Sequence, residues 1–240
     1  MNNITVVIFT PKEDENIKDC IESARLLTQN IILVFPTSTF VETVREAGIK
    51  QAKTDWVLIL DADERITEEL ASEIKSLIMS PSTPYTLQPT TYYQIPRKNI
   101  FADVKWLKYG GWWPDYQIRL INKKYFVNWP KRIHSTPKIK GQIGYLKNPL
   151  IHYFHGDLSG MVKKTVIFED IESDLLYKAG KTVTAVTFFR KFSAELWRRM
   201  FKGLGFLDGT VGVIESIYQA FSKTITYLFL YEKKSQGRTI

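Results

Sequence analysis

The residues best able to do chemistry are three carboxylates that directly follow a hydrophobic run. In the stretch "DWVLILDADERI" the apolar residues end at Leu60, and Asp61, Asp63 and Glu64 come next. Paired carboxylates after a buried strand can hold a divalent cation such as Mg²⁺, which usually keeps phosphate or water among its ligands. The alternative is a solvated turn in which Glu64 serves the dipole of the next helix. A bare D-x-D pattern does not decide between the two.

A further carboxylate, Asp115, lies in an aromatic and basic segment. It is the only acidic residue between Asp103 and Asp157, and two tryptophans and a tyrosine surround it in the sequence. A lone carboxylate among aromatic side chains is a candidate general base. The alternative is a structural ion pair with Arg119. The preceding pair Gly110-Gly111 lets the backbone approach another group closely.

All three histidines, His134, His152 and His155, lie between residues 130 and 156. They do not form the H-E-x-x-H pattern of a zinc protease. From the residues alone, a structural role is favoured for each of them.

These residues are positioned by alternating strands and helices in the first third of the chain. Continuous apolar runs predict buried strands, and apolar residues at spacings of three and four predict the helices between them. Thr67 can cap the third helix, because a threonine side chain accepts a hydrogen bond from the first turn. The pattern predicts an α/β fold with a parallel sheet and helices on both faces. The predicted strands are 4–10, 30–35 and 55–60, and the predicted helices are 14–28, 41–53 and a third beginning after Thr67.

From about residue 160 onward the pattern is helical, with aromatic and basic residues on amphipathic helices. Such helices suit the surface of an anionic membrane. The alternative, equally open, is that their apolar faces pack against the rest of the protein. We therefore expect a catalytic domain over 1–156 and a C-terminal helical region over 157–240, for which membrane association is one of these two interpretations.

Composition and charge narrow the classes of protein. The 240 residues are 44% hydrophobic and include a single cysteine, so a core can form and an internal disulfide framework is excluded. No apolar stretch is long enough to span a membrane or serve as a signal peptide. Residues 1–80 carry a net charge of −6 and residues 81–240 one of +14. The basic part predicts an anionic partner: a phosphorylated ligand, a membrane surface or nucleic acid.

Several ordered segments together resemble the family-two glycosyltransferases of the GT-A fold. The closer resemblance is to the bacterial branch that adds sugars to lipopolysaccharide core and related envelope glycans. It extends over nearly the whole chain. The segments that carry it are "AGIKQAKTDWVLILDADERI", "YYQIPRKNIF", "GGWWPDYQIRLINK", "LIHYFHGDLS" and "LGFLDGTVG".

The resemblance implies a role for each candidate residue. Asp63 would hold a Mg²⁺ or Mn²⁺ ion on the diphosphate of an activated sugar donor, and Asp115 would be the base of an inverting transfer. His152, or as a second candidate His134, would complete the metal shell. The donor-binding residues would be Glu13, Arg45, Asp61, Gly110 and Gly111.

The resemblance also implies partners and a location. The acceptor would be an envelope glycan or a lipid-linked sugar, and no nucleic acid is expected to bind. The enzyme would work in the cytoplasm, at the inner face of the cytoplasmic membrane.

The chain departs from the family pattern where the nucleoside should bind. After the first strand only Glu13 matches the usual motif, and after the second strand the acidic turn is replaced by Phe35-Pro36-Thr37-Ser38-Thr39-Phe40. Ser135 stands where the branch has a glutamate. These changes leave open a second interpretation, a degenerate relative that binds glycan or lipid without turnover. A nucleic-acid-binding protein that stacks bases on segment 92–132 is a third.

Overall fold

The computed structural model describes residues 3–10, 15–36, 41–79, 89–131, 135–154 and 158–237. The chain divides into two compact units. The first comprises Met1–Lys98 and Pro114–His152, and the second comprises Asn99–Trp113 and Tyr153–Ile240. Segment Asn99–Trp113, which the sequence prediction placed in the catalytic domain, thus belongs with the C-terminal helices.

The elements follow one another in the order predicted for the first third of the chain. The strands are β1 (Ile4–Phe9), β2 (Ile31–Val34), β3 (Trp56–Asp61), β4 (Glu64–Arg65), β5 (Thr90–Phe101), β6 (Lys105–Trp106), β7 (Asp115–Asn122), β8 (Phe126–Asn128), β9 (Lys138–Ile139), β10 (Gln142–Tyr145) and β11 (Leu150–Phe154). The α-helices are α1 (Glu15–Arg25), α2 (Glu42–Gln51), α3 (Glu68–Met79), α4 (Leu158–Lys178), α5 (Ala185–Leu196) and α6 (Gly209–Ser235).

The centre of the first unit is a parallel sheet with helices on both faces, as predicted. Strand β1 pairs in parallel with β2 on one side and with β3 on the other. Because successive side chains of a strand point to opposite faces, Val6 and Ile8 pack with residues of α1 and α3, whereas Val7 and Phe9 pack with residues of α2. The α/β fold class is confirmed.

Antiparallel strands extend this parallel centre. Strand β7 lies antiparallel to β3, β5 lies antiparallel to β7, and the main path runs β2-β1-β3-β7-β5-β11-β4. The insertion of β7 beside β3 brings Asp115, at the beginning of β7, to the sheet edge where β3 ends at Asp61. Two distant parts of the sequence thereby share one edge.

Helix α3 begins where the sequence predicts. The backbone N–H of Leu70 donates to Thr67 Oγ1 at 3.1 Å, which confirms the predicted cap. Leu70 and Ile74 are fully buried in the core. The cap fixes the point at which the chain leaves the acidic turn and enters the helix.

The second unit is mainly helical, and α6 packs against α4 and α5. Between α5 and α6 the chain forms a π-helix over Trp197–Lys202 and a 3₁₀ turn over Gly205–Asp208. The packed side of α6 consists largely of small or polar residues, whereas a stripe of large apolar residues on the same helix is exposed. The buried small and polar residues are Gly212, Glu215, Ser216, Ala220, Ser222 and Thr226. The exposed residues are Ile214, Ile217, Phe221, Leu228 and Tyr231.

Glu215 is a buried carboxyl group within this helical unit. Its side chain is 1% exposed, and Oε1 accepts a hydrogen bond from Gln219 Nε2 at 2.7 Å. Its other oxygen, Oε2, is buried and has no hydrogen-bond partner among the described residues. Burial raises the pKa of Glu215 to about 7, and the Gln219 hydrogen bond and the Arg199 charge oppose this rise only in part.

This raised pKa makes the stability of the protein depend on pH. Between the ordinary carboxyl pKa and about 7, the folded state holds a proton that the unfolded state has lost, so stability falls as pH rises through this range. The full loss is about 3 kcal/mol. We expect Glu215→Gln to remove this loss, so that the variant gains stability relative to wild type at about pH 8 but not at about pH 5. Urea unfolding at the two pH values measures it.

Glu232→Gln is the matched control, because Glu232 lies on the same helix, is exposed and has an equivalent i+4 glutamine partner in Gln236. It should change stability equally at both pH values. An equal effect of Glu215→Gln at both pH values would contradict the prediction.

Candidate active site

The first unit holds most of the residues predicted to act. Asp61 ends β3, Asp63 lies in the turn before β4, Asp115 begins β7, His152 lies on β11 and Arg45 lies on α2. Gly110 and Gly111 lie in the second unit. Glu13 and His134 fall outside the described residues.

Arginines bind both carboxylate oxygens of Asp61. Arg45 Nη2 donates to Oδ1 at 2.8 Å, and Arg119 Nη2 donates to Oδ2 at 2.6 Å. Burial alone would raise the pKa of Asp61, but the Arg119 and Arg45 guanidinium groups hold it well below its usual range. Asp61 is therefore ionised and anchored, and its role is to hold the turn and two arginines in place.

Glu64 is completely buried among charged partners, so the alternative in which it only serves the dipole of the next helix in a solvated turn does not describe this residue. Its Oε1 accepts from Arg119 Nη2 at 2.6 Å and lies 3.4 Å from Arg97 Nη1. Its Oε2 accepts from the backbone N–H of Asp61 at 3.1 Å. A buried carboxylate is tolerated only when charged partners and hydrogen bonds compensate for lost water, and Glu64 has both. It ties the acidic turn to the arginines behind it.

Asp63 and His152 face each other across the turn. His152 pairs with Glu64 in the antiparallel β4–β11 ladder, and its Nε2 lies 3.6 Å from Asp63 Oδ1. That distance is long for a hydrogen bond. It suits two ligands of one cation, since atoms roughly 2.1 Å from a shared Mg²⁺ lie about 3.0–4.2 Å apart. The two side chains are 30% and 13% exposed, so a ligand can reach them.

The described residues supply no larger set of metal ligands. Within the described ranges, no group of three or more His, Cys, Asp or Glu is arranged to hold a metal ion. Mg²⁺ commonly takes one or two carboxylates from the protein and its remaining ligands from phosphate and water, so Asp63 offers a ligand of the expected type.

Asp115 is bound by Arg97, and the predicted alternative of an ion pair with Arg119 is wrong. Arg97 donates to Asp115 Oδ2 through Nε at 2.9 Å and through Nη2 at 2.6 Å. Gln117 Nε2 donates to Oδ1 at 2.8 Å. Arg119 instead binds Asp61 and Glu64. Asp115 is 21% exposed, so its carboxylate is both held and accessible.

Six charged groups form a continuous chain across the first unit. The order is Arg45, Asp61, Arg119, Glu64, Arg97 and Asp115, with each neighbouring pair in an ion pair. Three positive charges balance three negative charges, which is why so many ions can be buried together. This row of ion pairs links the turn that carries Asp63 with Asp115, the carboxylate that the sequence analysis proposed as a base.

Sequence reasoning missed Glu64, Arg97 and Arg119 as members of this site. One signal was available for Arg119: Asp115, Gln117 and Arg119 alternate along β7 and therefore share one face of the strand. No local signal identifies Arg97, because its pairing with Asp115 depends on the register between β5 and β7.

Arg45 lies between two aromatic rings. Its guanidinium carbon is 5.2 Å from the ring centroid of Phe9 and 5.1 Å from that of Trp129. Ser135 accepts from Trp129 Nε1 at 3.1 Å and donates to the carbonyl oxygen of Pro130 at 2.6 Å. Arg45 Nη1 is buried and has no hydrogen-bond partner among the described residues. Arg45 thus has a donor available for an anionic or carbonyl group.

In the second unit, other backbone segments approach the glycine pair closely, as predicted. Gly110 and Gly111 have φ values of +67° and +84°, which glycine adopts without strain. The N–H of Gly110 donates to the carbonyl oxygen of Gly203 at 2.7 Å. Asp208 Oδ2 accepts from the backbone N–H groups of Lys108 and Tyr109 at 2.9 and 2.8 Å. The motif "LGFLDGTVG" therefore includes the residue that holds the glycine loop.

No family model matches the chain. Similar curated proteins carry the name uncharacterized glycosyltransferase. One from Rickettsia typhi is 25% identical and the alignment covers 100% of this chain and 90% of that protein. One from Rickettsia conorii is 24% identical, covering 99% and 93%, and one from Rickettsia prowazekii is 25% identical, covering 93% and 85%. The resemblance to glycosyltransferases is confirmed along the full chain, and with it the prediction of an enzyme of that class.

Solved structures also overlap with this chain. Staphylococcus aureus TarS, residues 1–349 in complex with UDP-GlcNAc, is 13% identical, covers 98% of this chain and 92% of that one, and gives a TM-score of 0.41. A glycosyltransferase involved in glycosylation of the PBCV-1 major capsid is 19% identical, covers 51% and 61%, and gives 0.33. TM-scores of this size are too low to establish a shared fold.

Arg119 should be the most costly member of the charge chain to remove. Arg119→Met would leave Asp61 and Glu64 without their shared cation, and breaking a buried pair in this way costs about 3–5 kcal/mol. Urea unfolding measures the loss. Lys50→Met is the control, because the Lys50 side chain is 60% exposed in its pair with Glu46 and the loss of a surface ion pair should cost much less. An equal loss of unfolding free energy in the two variants would show that the ion pairs of Arg119 stabilise the protein no more than a surface ion pair does.

Proposed function

We propose that the protein is a metal-dependent, inverting glycosyltransferase that uses a nucleoside diphosphate-sugar. The acceptor would be an envelope glycan or a lipid-linked sugar. The observation that carries the proposal is the chain of ion pairs that holds Asp115 and the Asp63 turn in one unit. The full-length similarity to proteins named glycosyltransferases supports the same class of reaction.

Asp63 and His152 are the residues that would hold the cation. Their separation of 3.6 Å and their partial exposure support this assignment. Asp61 is unsuited to be a principal ligand, because arginines bind both of its oxygens. A bound Mg²⁺ or Mn²⁺ would neutralise the negative charge that develops on the departing diphosphate.

Asp115 would be the general base. It would accept the proton of the acceptor hydroxyl while the hydroxyl oxygen forms a bond to the anomeric carbon of the donor. The bond from that carbon to the diphosphate oxygen would break on the opposite face, so configuration would invert. The transition state would have the oxocarbenium character known from glycoside hydrolysis.

The nucleoside part of the donor would be bound with little selectivity. Phe35 stands where the resemblance places an acidic turn, and it is 44% exposed. Apolar groups cannot discriminate among bases through hydrogen bonds. We expect most of the donor affinity to come from the diphosphate, the cation and Arg45, whose buried Nη1 has no hydrogen-bond partner among the described residues. Residues 37–40 of this turn lie outside the described residues.

A panel of nucleotide sugars tests the function. Purified protein with Mn²⁺ should hydrolyse or transfer at least one donor, and Asp63→Ala should abolish Mn²⁺-dependent binding of that donor in calorimetry with little loss of stability. The matched control is Asp55→Ala, which removes an exposed aspartate at the opposite end of β3. Donor binding without turnover would favour a non-catalytic relative. Unchanged Mn²⁺-dependent binding by Asp63→Ala would exclude Asp63 as a ligand.

The second unit supports peripheral attachment to a lipid bilayer. None of the described helices is long and apolar enough to cross a membrane. Helix α6 nevertheless packs through small and polar residues and exposes its large apolar stripe. Small residues at helix contacts with apolar residues outside are the arrangement found in lipid. On α5 no side chain is fully buried, and Val186 and Phe189 are 72% and 78% exposed.

The charges around these helices favour an anionic bilayer over a second copy of this basic chain. Residues 158–237 carry 12 Lys and Arg against eight Asp and Glu, and Arg190, Arg198 and Lys202 are exposed beside the apolar residues. Basic residues near an anionic leaflet contribute about 1 kcal/mol each. We therefore propose attachment to an anionic membrane, at the inner face of the cytoplasmic membrane that the family resemblance implies.

Vesicle flotation tests the membrane surface. The protein should float with vesicles containing anionic lipid, partly dissociate at high salt, and bind at least about tenfold more weakly when Phe189 and Phe221 are both changed to Asp. Val104→Asp is the control, because Val104 is 81% exposed but lies outside these helices. If the protein is instead a dimer that does not bind vesicles, and the double variant is a monomer, the exposed apolar surface serves self-association.

A further inference from the structure

Arg97 and Asp115 are neighbours by strand register. They lie opposite each other in the antiparallel ladder between β5 and β7. Two N–H groups of Arg97, Nε and Nη2, converge on the single oxygen Oδ2 at 2.9 and 2.6 Å. Gln117, two positions along β7, donates to Oδ1 at 2.8 Å. Donors on both sides of the carboxylate restrict its rotation about the bond that joins it to the chain.

Arg97 also has a second function within the same cluster. Its remaining terminal nitrogen, Nη1, lies 3.4 Å from Oε1 of the fully buried Glu64. Glu64 in turn holds the backbone N–H of Asp61 and the guanidinium of Arg119. The position of the Asp115 carboxylate is thereby tied to the turn that carries Asp63 through Arg97, which is 18% exposed, and Glu64, which is completely buried.

We propose that Arg97 is the positioning residue of the reaction: it orients the Asp115 carboxylate, places a positive charge beside it and fixes its place relative to the Asp63 turn. The proposal rests on the proposed function, in which Asp115 is the base. A planar guanidinium suits this task because its N–H groups point in fixed directions, and it stays protonated at all working pH values. A lysine would supply the charge but could not bind Asp115 and Glu64 together with the same geometry.

A measurement without substrate tests whether Arg97 controls the Asp115 carboxylate; we call this Arg97–Asp115 ion pair the tether. With aspartate labelled by ¹³C at the carboxyl carbon, Asp115→Asn identifies the Asp115 signal, and its pH titration is followed in wild type and in Arg97→Gln. Because loss of an adjacent permanent cation disfavours the ionised carboxylate, the titration midpoint should move up by about 1–2 pH units in Arg97→Gln. Lys98→Gln is the control: Lys98 is adjacent to Arg97 but lies on the opposite face of β5, so the titration midpoint of Asp115 should not move in this variant.

Kinetics test whether the tether serves the reaction. In Arg97→Gln, kcat should fall on the order of 10²-fold, with little change in KM for the donor, and the acidic limb of the pH profile should move to higher pH. Arg97→Lys should restore the position of the acidic limb, because the charge returns, but only part of kcat.

The outcomes distinguish a failure of the positioning role of Arg97 from a failure of the proposed glycosyltransferase function. A merely structural Arg97 would lower the folded fraction of the protein and leave the acidic limb and the Asp115 titration where they were; that result would overturn the proposal. If wild type transfers no sugar from any donor, the proposed function fails. The carboxyl titration then still decides whether Arg97 controls Asp115: a shift supports the tether, and no shift overturns it.

Discussion

The first unit depends on one nitrogen, Nη2 of Arg119, which lies 2.6 Å from a carboxylate oxygen of Asp61 and 2.6 Å from one of Glu64. Glu64 has no exposure to solvent, and an ion in that environment is stable only beside a counter-ion and hydrogen bonds. Arg119 therefore has to be buried with the two carboxylates. Because β7 carries both Arg119 and Asp115, this pairing also fixes the end of the strand that holds Asp115.

The same constraint separates two carboxylates that look alike in the sequence. Asp61 and Asp63 are two residues apart, yet arginines bind both oxygens of Asp61 whereas Asp63 lies opposite His152. The neighbours decide the chemistry: a carboxylate between two guanidinium groups stabilises structure, and one beside an imidazole on an accessible turn is suited to bind a cation. The D-x-D pattern thus contains one positioning residue and one candidate ligand.

The second unit follows a different rule. Its longest helix, α6, packs largely through Gly212, Ser216, Ala220 and other small or polar residues, together with Tyr227 and Leu230, and exposes a stripe of large apolar residues. In water this arrangement leaves apolar area unburied, and each Å² left exposed forgoes about 25 cal/mol of stabilising free energy. Lipid contact would make it favourable, and we propose a lipid surface as the partner because it suits both this arrangement and the basic charge.

Local sequence patterns determined much of the fold. Continuous apolar runs and apolar residues at spacings of three and four gave the alternating strands and helices, and Thr67 gave the beginning of α3. The position of Asp63 just after an apolar run, and that of Asp115 as a lone carboxylate among aromatic residues, marked both as candidates. These features depend on residues a few positions apart, so they can be recognised without the tertiary structure. Only the tertiary structure decided that Arg97 rather than Arg119 binds Asp115, that Glu64 is buried, and which side of α6 packs. Each depends on strand register or helix docking between residues distant in sequence, and period and spacing carry no information about those pairings.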